Sequence, residues 1–364
     1  MKRLILKYFR IIILLNIAVA TSLLLAYLCC FINPSTLWFP ALFGLTYIYL
    51  LIANLCFVVF WAFSHKKIFA LISAVTILTG WTFLGWNVQI FGKKIPDEKL
   101  SESFKILTFN VQGFENRNDI LSDGKNLNIF DFFRNENADI ICMQEFVINR
   151  RRINDTSYVN KLFNILPFSH IELTRGSIGL ATFSKNPIIR NELIYNDKTK
   201  NACICSDIVI GNDTIRVYNV HLKSVGFRNN ENHLLDNVVR KKYGRSDIRA
   251  FFSIFYHLKM ASIERAKQVE ILTAHIKQSP YPVIICGDFN DPPMSYCYRK
   301  VRSNRKDAFV EAGAGRSATI FVGHIVPLRI DNIFYSDVFK AYSYESPRVR
   351  LSDHFPVMCR LVKK

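Results

Sequence analysis

The chain has 364 residues, half of them hydrophobic, and a formal net charge of +18. Its length allows two or three structural units, and its basic balance favours anionic partners such as nucleic acid, a phospholipid surface or phosphorylated small molecules without choosing among them. There are nine cysteines, and Cys203 and Cys205 have no second pair at zinc-site spacing, which argues against both a structural zinc and a disulfide framework.

The first 95 residues contain no Asp or Glu, and their eight Lys and Arg account for +8, leaving +10 for the remainder. From Ile11 to His65 there is no Lys, Arg, Asp or Glu, a run of 55 residues. A bilayer-spanning helix takes about 20 apolar residues. The run therefore predicts two spans, broken at Asn33-Pro34-Ser35-Thr36, and the stretch from Ile68 to Trp86 or Phe91 supplies a third. Trp38, Trp61, Trp81 and Trp86 fall near the expected span ends, where amphipathic rings prefer the headgroup region. A cleaved signal peptide processed at Ala18-Val19-Ala20 is the alternative, and the apolar sequence continuing past Ala20 opposes it. The basic N-terminus and Lys66-Lys67 would lie in the cytoplasm, which delivers the C-terminal part to the outside, although Lys93 and Lys94 then sit on the outer side. The expectation is a multi-pass cell-membrane protein with an anchor over 1–92 and a charged linker over 93–104. A catalytic domain over 105–364 follows, carrying an insertion at about 226–260.

Beyond the linker, strand-like runs alternate with helical ones. Strands are expected at Ile106 to Phe109, Ala138 to Met143, Gly179 to Phe183, Ala202 to Ile210, Thr214 to Val220, Val283 to Cys286, Arg329 to Tyr335 and Val357 to Leu361. Helix fits Leu127 to Asn135 and Ser262 to Gln278. Such a mixture is an α/β or α+β domain with helix-covered sheets, and its site belongs where several strands end. The segment between His221 and Ser262, with Arg240-Lys241-Lys242 and the aromatic run Phe251 to Tyr256, reads either as a packed helical insertion or as a basic element on the bilayer surface or over the site.

The polar motifs follow these apolar runs. In order they are Leu107-Thr108-Phe109-Asn110, Gln144-Glu145, Asn219-Val220-His221-Leu222, Gly287-Asp288-Phe289-Asn290, Arg329-Ile330-Asp331-Asn332 and Ser352-Asp353-His354-Phe355-Pro356. A carboxylate at a strand end is costly unless paired or metal-bound, which makes Glu145 the first candidate ligand for Mg²⁺ or Mn²⁺. In Gly287-Asp288-Phe289-Asn290 the glycine permits close backbone approach and the two polar side chains stand at i and i+2. Asp288 is placed to take the proton of an attacking water and Asn290 to position it. His354 is a candidate general acid or phosphate donor oriented by Asp331, and His221 a second phosphate donor.

The ordered set, over roughly Lys105 to Lys364, resembles the endonuclease/exonuclease/phosphatase superfamily, which includes deoxyribonuclease I, exonuclease III-type repair nucleases, neutral sphingomyelinases and inositol-polyphosphate 5-phosphatases. The resemblance implies a four-layer sandwich of two packed mixed β-sheets flanked by helices. It also implies metal binding at Glu145 with Asn110 and Asp353 nearby, water activation by Asp288 with Asn290, and an Asp331 to His354 pair. His221 stands where deoxyribonuclease-like and sphingomyelinase-like members carry a second histidine. The expected activity is divalent-metal-dependent hydrolysis of a phosphoester, of nuclease type. Cleavage of a lipid or sugar-phosphate headgroup is the alternative, and a binding module without catalysis the remote one. The lipid bilayer is the expected partner, and no protein partner is expected.

Overall fold

A computed structural model describes residues 2–115, 118–120, 126–148, 162, 164–197, 199–226, 245–322 and 326–364. Five helices open the chain: α1 (Lys2–Leu28), α2 (Pro40–Leu45), α3 (Tyr47–Ala62), α4 (Ala70–Thr79) and α5 (Trp81–Asn87). Among the described residues one unbroken helix, Tyr8–Leu28, is long and apolar enough to cross a bilayer, so the expected three-span bundle is corrected. The second expected span is interrupted at Thr46, and its helix α3 has 16 residues, or about 24 Å of rise, against a hydrocarbon core of about 30 Å. The third is bent by 61° at the Gly80 break between α4 and α5. Composition counts apolar residues but does not register such breaks.

This helical unit buries polar groups and exposes apolar ones. Trp61 Nε1 donates to Asn16 Oδ1 (2.9 Å), Asn16 Nδ2 to Ser73 Oγ (2.6 Å) and Ser73 Oγ to Asn54 Oδ1 (2.8 Å), all buried. Leu14, Ile52, Val59, Leu71 and Leu78 face outward. Of the four tryptophans read as interfacial, Trp61 is fully buried and Trp86 packs on Tyr298 at 5.3 Å, so these two serve packing.

The catalytic part holds two six-stranded sheets. Its strands in chain order are β1 (Ser103–Asn110), β2 (Asn118–Ile120), β3 (Asn126–Asn128), β4 (Ile140–Val147), β5 (Phe168–Arg175), β6 (Ile178–Ser184), β7 (Ile188–Asn196) and β8 (Ala202–Ile210), followed by β9 (Asp213–His221), β10 (Val283–Asp288), β11 (Lys306–Asp307), β12 (Ile320–Val322), β13 (Val326–Leu328), β14 (Asp331–Tyr335), β15 (Phe339–Glu345) and β16 (Val357–Lys363). The first sheet runs β15-β16-β1-β4-β6-β5 and the second β11-β14-β10-β9-β8-β7, while β2-β3 and β12-β13 are small hairpins. Both sheets are mixed, with β1 parallel to β4 and β9 parallel to β10.

Side chains alternate between sheet faces with period two, and that period distributes the cores. Ile106, Ile140, Cys142, Val217, Ile284 and Cys286 meet between the sheets. Leu107, Phe109, Ile141 and Met143 form the outer face of the first sheet against the helix Ile129–Glu136. Tyr218, Val220, Val283 and Ile285 form that of the second sheet, against the long helix Arg245–Ile276 and the helix Tyr296–Arg302. The result is four layers, helix, sheet, sheet, helix. The long helix starts well before the expected Ser262 and takes in the Phe251 to Tyr256 run, with Phe252 and Tyr256 exposed; residues 227–244 of the insertion lie outside the described residues.

The two units are in direct contact. Met294 belongs to the core of the helical unit, Arg329 Nη2 donates to the Trp86 carbonyl (2.8 Å), and the Arg299 guanidinium lies 4.1 Å from the Phe31 ring centroid. The segment between the units follows the catalytic surface: Gln89 bridges Gly315, Lys93 N–H donates to the Ala312 carbonyl, and the Lys93 carbonyl accepts from Ser343 N–H.

Candidate active site

The inner rows of the four central strands change from apolar to polar toward one end of the sandwich. Along β1 the row reads Ile106, Thr108, Asn110; along β4 Ile140, Cys142, Gln144; along β9 Val217, Asn219, His221; along β10 Ile284, Cys286, Asp288. Two polar levels result. The lower one is closed: Gln144 Nε2 donates to Asn219 Oδ1 (2.7 Å) and Thr108 Oγ1 (3.1 Å), and Asn219 Nδ2 donates to the carbonyls of Met143 and Ala181. It ties the two sheets together and forms the floor of the upper level.

Strand register builds that upper level. Asp288 pairs with His221 on β9 and with Asp331 on β14, so three charge-bearing side chains stand abreast on adjacent strands. Gly287 permits this approach. Its φ is +141°, and a Cβ there would fall 1.9 Å from the Val220 carbonyl oxygen, so no other residue fits.

Asp288 is enclosed by donors. Its Oδ2 accepts from Asn110 Nδ2 (3.1 Å) and Asn290 Nδ2 (3.2 Å), and its Oδ1 from the Asn290 backbone N–H (2.8 Å). The Nε2 atoms of His221 and His354 lie 3.5 and 3.7 Å from the same carboxylate. Asn290 reaches the site from a left-handed turn with φ +50° and also donates to the Leu222 carbonyl.

His354 Nδ1 bonds Asp331 Oδ2 at 2.9 Å, and Thr319 Oγ1 accepts the Asp331 N–H. Burial alone would lower the His354 pKa, but the Asp331 and Asp288 carboxylates outweigh it and raise the value to about 10. Burial likewise pushes Asp331 up to about 6, against the pull of the imidazolium. His354 is thus cationic at neutral pH. Asp288, Asp331 and His354 offer ligand atoms within 4.8 Å of one another, a possible metal site by spacing. In this arrangement His354 Nδ1 is engaged by Asp331 while its Nε2 faces Asp288.

His221 is fully buried, and its Nδ1 bonds the Lys200 carbonyl (3.0 Å). Burial lowers its pKa against the raising effects of Asp288 and Glu145. Among the described residues its Nε2 has no hydrogen-bond partner, nor has Asp331 Oδ1, and both are buried. Such orphaned atoms call for a partner that arrives from outside.

Glu145 would point to the outer face by simple alternation. A register shift between Gln144 and Phe146, with φ +53° at Glu145, returns its carboxylate to the site. There it pairs with the ammonium of Lys200, and His221 Nε2 lies 3.8 Å from Oε1. A carboxylate that already holds a cation is a suitable donor for Mg²⁺ or Mn²⁺. Asn110 stands 3.5 Å from Glu145, but through its amide nitrogen, because its Oδ1 accepts from Gln112 N–H. Asp353 is exposed, and no described contact joins it to Glu145; it reaches the rim through Ser352, whose hydroxyl donates to the Asn110 carbonyl (2.7 Å) and to Asp353 Oδ1 (3.1 Å). Glu145 and Asp353 supply the hard oxygens of a candidate cation site, and Asn110 through its amide nitrogen contacts the carboxylates of Glu145 and Asp288.

Sequence reasoning overlooked Lys200 and Thr319, and it gave no role to the floor residues Thr108, Gln144 and Asn219 although they stand in its motifs. The floor was readable from the period-two rows; Lys200 lies in a loop that carries no motif. His170, which lies outside the motifs, is buried and bonds Ser206 Oγ (2.9 Å).

Residues 9–86 match a domain of unknown function, DUF8431. Among curated protein sequences no significant relative is found. Similar solved structures include humanized D. rerio TDP2 (14% identity, 71% of this chain and 99% of that chain, TM-score 0.49). They also include the human Nocturnin catalytic domain (16%, 72% and 94%, 0.48) and an AP endonuclease from Archaeoglobus fulgidus (17%, 70% and 98%, 0.48). The family model of the Endonuclease/Exonuclease/phosphatase family matches residues 107–354, a span that contains every residue of the upper polar level, and the chain belongs to that family.

Proposed function

We infer that the chain is a membrane-anchored hydrolase of phosphoesters that works with a divalent cation, Mg²⁺ or Mn²⁺, and cleaves phosphodiesters in the manner of a nuclease. The observation that carries this reading is the register of His221, Asp288 and Asp331 on three adjacent strands, with His354 closing the group. Asp288, held by Asn110 and the Asn290 backbone, accepts the proton of the attacking water. The His354 imidazolium, fixed by Asp331, donates to a phosphoryl oxygen and neutralises developing charge. His221, whose Nδ1 proton is held on the Lys200 carbonyl, presents Nε2 to the site, where protonation would let it donate to the phosphate as well. Members of the family depend on a divalent metal. Here Glu145 and Asp353 would hold it, with Asn110 orienting Glu145, and the bound cation would screen the phosphate's charge and polarise its oxygen.

The membrane reading rests on α1 and on the inside-out helical unit, whose buried Asn16, Asn54 and Ser73 network and exposed leucines and isoleucines suit lipid surroundings. A removable leader would not supply core residues such as Leu23, Ala26 and Cys30. Lys2, Arg3 and Lys7 before the span, with Arg10 in its first turn, favour a catalytic domain outside the cytoplasm. The same unit supports a second reading, hydrolysis of a lipid or sugar-phosphate headgroup at the bilayer surface.

The test is hydrolysis by the full chain in nanodiscs, wild type beside Asp288→Ala, on DNA, RNA, sphingomyelin, phosphatidylinositol phosphates and bis-nitrophenyl phosphate. The expected outcome is turnover that EDTA removes, Mg²⁺ or Mn²⁺ restores and the variant lacks. Equal activity in wild type and Asp288→Ala, or full activity in EDTA, would overturn the reading. A reporter joined after Lys364 that is active only inside the cytoplasm would reverse the orientation.

A further inference from the structure

Lys200 is the unexpected cation of the site. Its ammonium bonds Glu145 Oε1 while its backbone carbonyl accepts His221 Nδ1, so one residue touches both the candidate metal carboxylate and the candidate phosphate donor. The lysine side chain is 40% exposed, whereas the glutamate is 12% exposed. The carboxylate is therefore fixed and the ammonium has room to leave. Beside it lies a pocket of about 310 Å³ lined by Ile178, Thr199, Lys200, Asn201, Lys223 and Ser224. That pocket adjoins the site: Asn201 Nδ2 and Asn290 Nδ2 both donate to the Leu222 carbonyl, at 2.8 and 3.1 Å. Its other cation, Lys223, is compensated only loosely, by Asp197 at 3.6 Å.

We propose that Lys200 is a resident counter-cation that holds Glu145 until a divalent cation takes that carboxylate, and then turns into the adjoining pocket to bind, with Lys223, a second anionic group of the substrate. The proposal deepens the phosphoester-hydrolase reading and rests on it for the metal and the substrate. A divalent cation on Glu145 Oε1 would compete with the ammonium for that oxygen, and repulsion between the two cations would favour release of Lys200 toward the adjoining pocket. A freed ammonium gains most from an anion within a few ångströms. The substrate class implied is a phosphoester with a second phosphate beside the one that is cleaved. A neighbouring nucleotide or a phosphorylated sugar headgroup would provide it.

The experiment uses the full chain in nanodiscs and has two readouts. Mn²⁺ affinity without substrate is measured by electron paramagnetic resonance titration for wild type, Lys200→Gln and Lys200→Arg. Removing the competing ammonium is expected to tighten Mn²⁺ binding about threefold, the scale of a partly exposed ion pair, with Lys200→Arg restoring the wild-type affinity. Unchanged or weaker binding in Lys200→Gln overturns the counter-cation role. In the second readout kcat/KM is compared for a dinucleotide with and without a terminal phosphate, and for glycerophosphoinositol with and without a ring phosphate. Wild type is expected to prefer the doubly charged member of one pair by about tenfold, and Lys200→Gln and Lys223→Gln to lose the preference. The pair that shows it identifies the source of the second phosphate. A preference retained in both variants, or absent from both pairs in an active wild type, overturns the pocket. Wild type inactive on every substrate would instead sink the hydrolase reading, while the Mn²⁺ titration would still decide the role of Lys200.

Discussion

The Trp61–Asn16–Ser73–Asn54 network of the helical unit and the polar levels of the catalytic sandwich are both buried, and they differ in whether their members are satisfied. In the helical unit the chain from Trp61 through Asn16 and Ser73 to Asn54 is closed, and Asn54 Nδ2 also donates to the Val19 carbonyl. It joins α1, α3 and α4. The sandwich repeats that pattern at its floor, where Gln144 and Asn219 are fully engaged. One level higher the pattern fails, leaving His221 Nε2 and Asp331 Oδ1 buried without partners beside two carboxylates. A closed network fixes geometry, whereas an open one stores binding capacity for a phosphate or a cation.

Replacing a member of the open network should act mainly on turnover. His354→Gln, which keeps the size but removes the imidazolium between Asp331 and Asp288, is expected to lower kcat by about a hundred- to ten-thousandfold, with the folded state retained in circular dichroism. A loss of less than tenfold would show that charge at this position is not used.

The joint between the two units is the next place to press. A Cβ on Gly44 would fall 2.1 Å from the Met294 carbonyl oxygen. Gly44→Val is expected to cost about 1–3 kcal/mol by overpacking, read as an earlier denaturation midpoint. Because Met294 follows the Asp288 to Pro293 loop, kcat should fall as well; an unchanged kcat would show that the units act independently. Within the closed network, Asn54→Ala strands the Ser73 hydroxyl and is expected to cost about 1–3 kcal/mol, without a change in kcat once the protein is folded.

The smallest effect belongs to His170. Burial lowers its pKa from 6.5, with Glu172 opposing. The unfolded chain therefore binds more protons, and stability rises with pH across this range and is lost as pH falls below 6.5. His170→Gln should flatten the change in urea midpoint between about pH 7.5 and about pH 5.5. An undiminished slope would assign it to another group.

Much of the sandwich was legible in advance because buried strands are written as apolar runs. Ala202 to Ile210 matches β8 at both ends, and Val283 to Cys286 lies within β10. β5, β7 and β15 were missed: β7 carries Arg190, Asn191 and Glu192 in its middle, and its residues are half-buried or exposed, so its membership comes from pairing with β8. Glu145 was expected after a strand and lies inside β4, because the register shift that aims it is a property of the pairing with β6.

What the sequence by itself determined is the local order of things: which runs are apolar, where each ends, and which polar residue follows. Those facts depend on neighbours along the chain, through side-chain period and backbone preference. Only the tertiary structure decided that Asp288, His221 and Asp331 share one register, that Asn110 turns its amide nitrogen toward two carboxylates, and that Lys200 arrives at Glu145 from a loop 55 positions away. It also decided that the charge-free N-terminal run becomes one helix long and apolar enough to cross a bilayer and a set of shorter, bent helices packed on the catalytic unit. Hydropathy measures the solvent a segment tolerates, while the length and direction of each helix are settled by what it packs against.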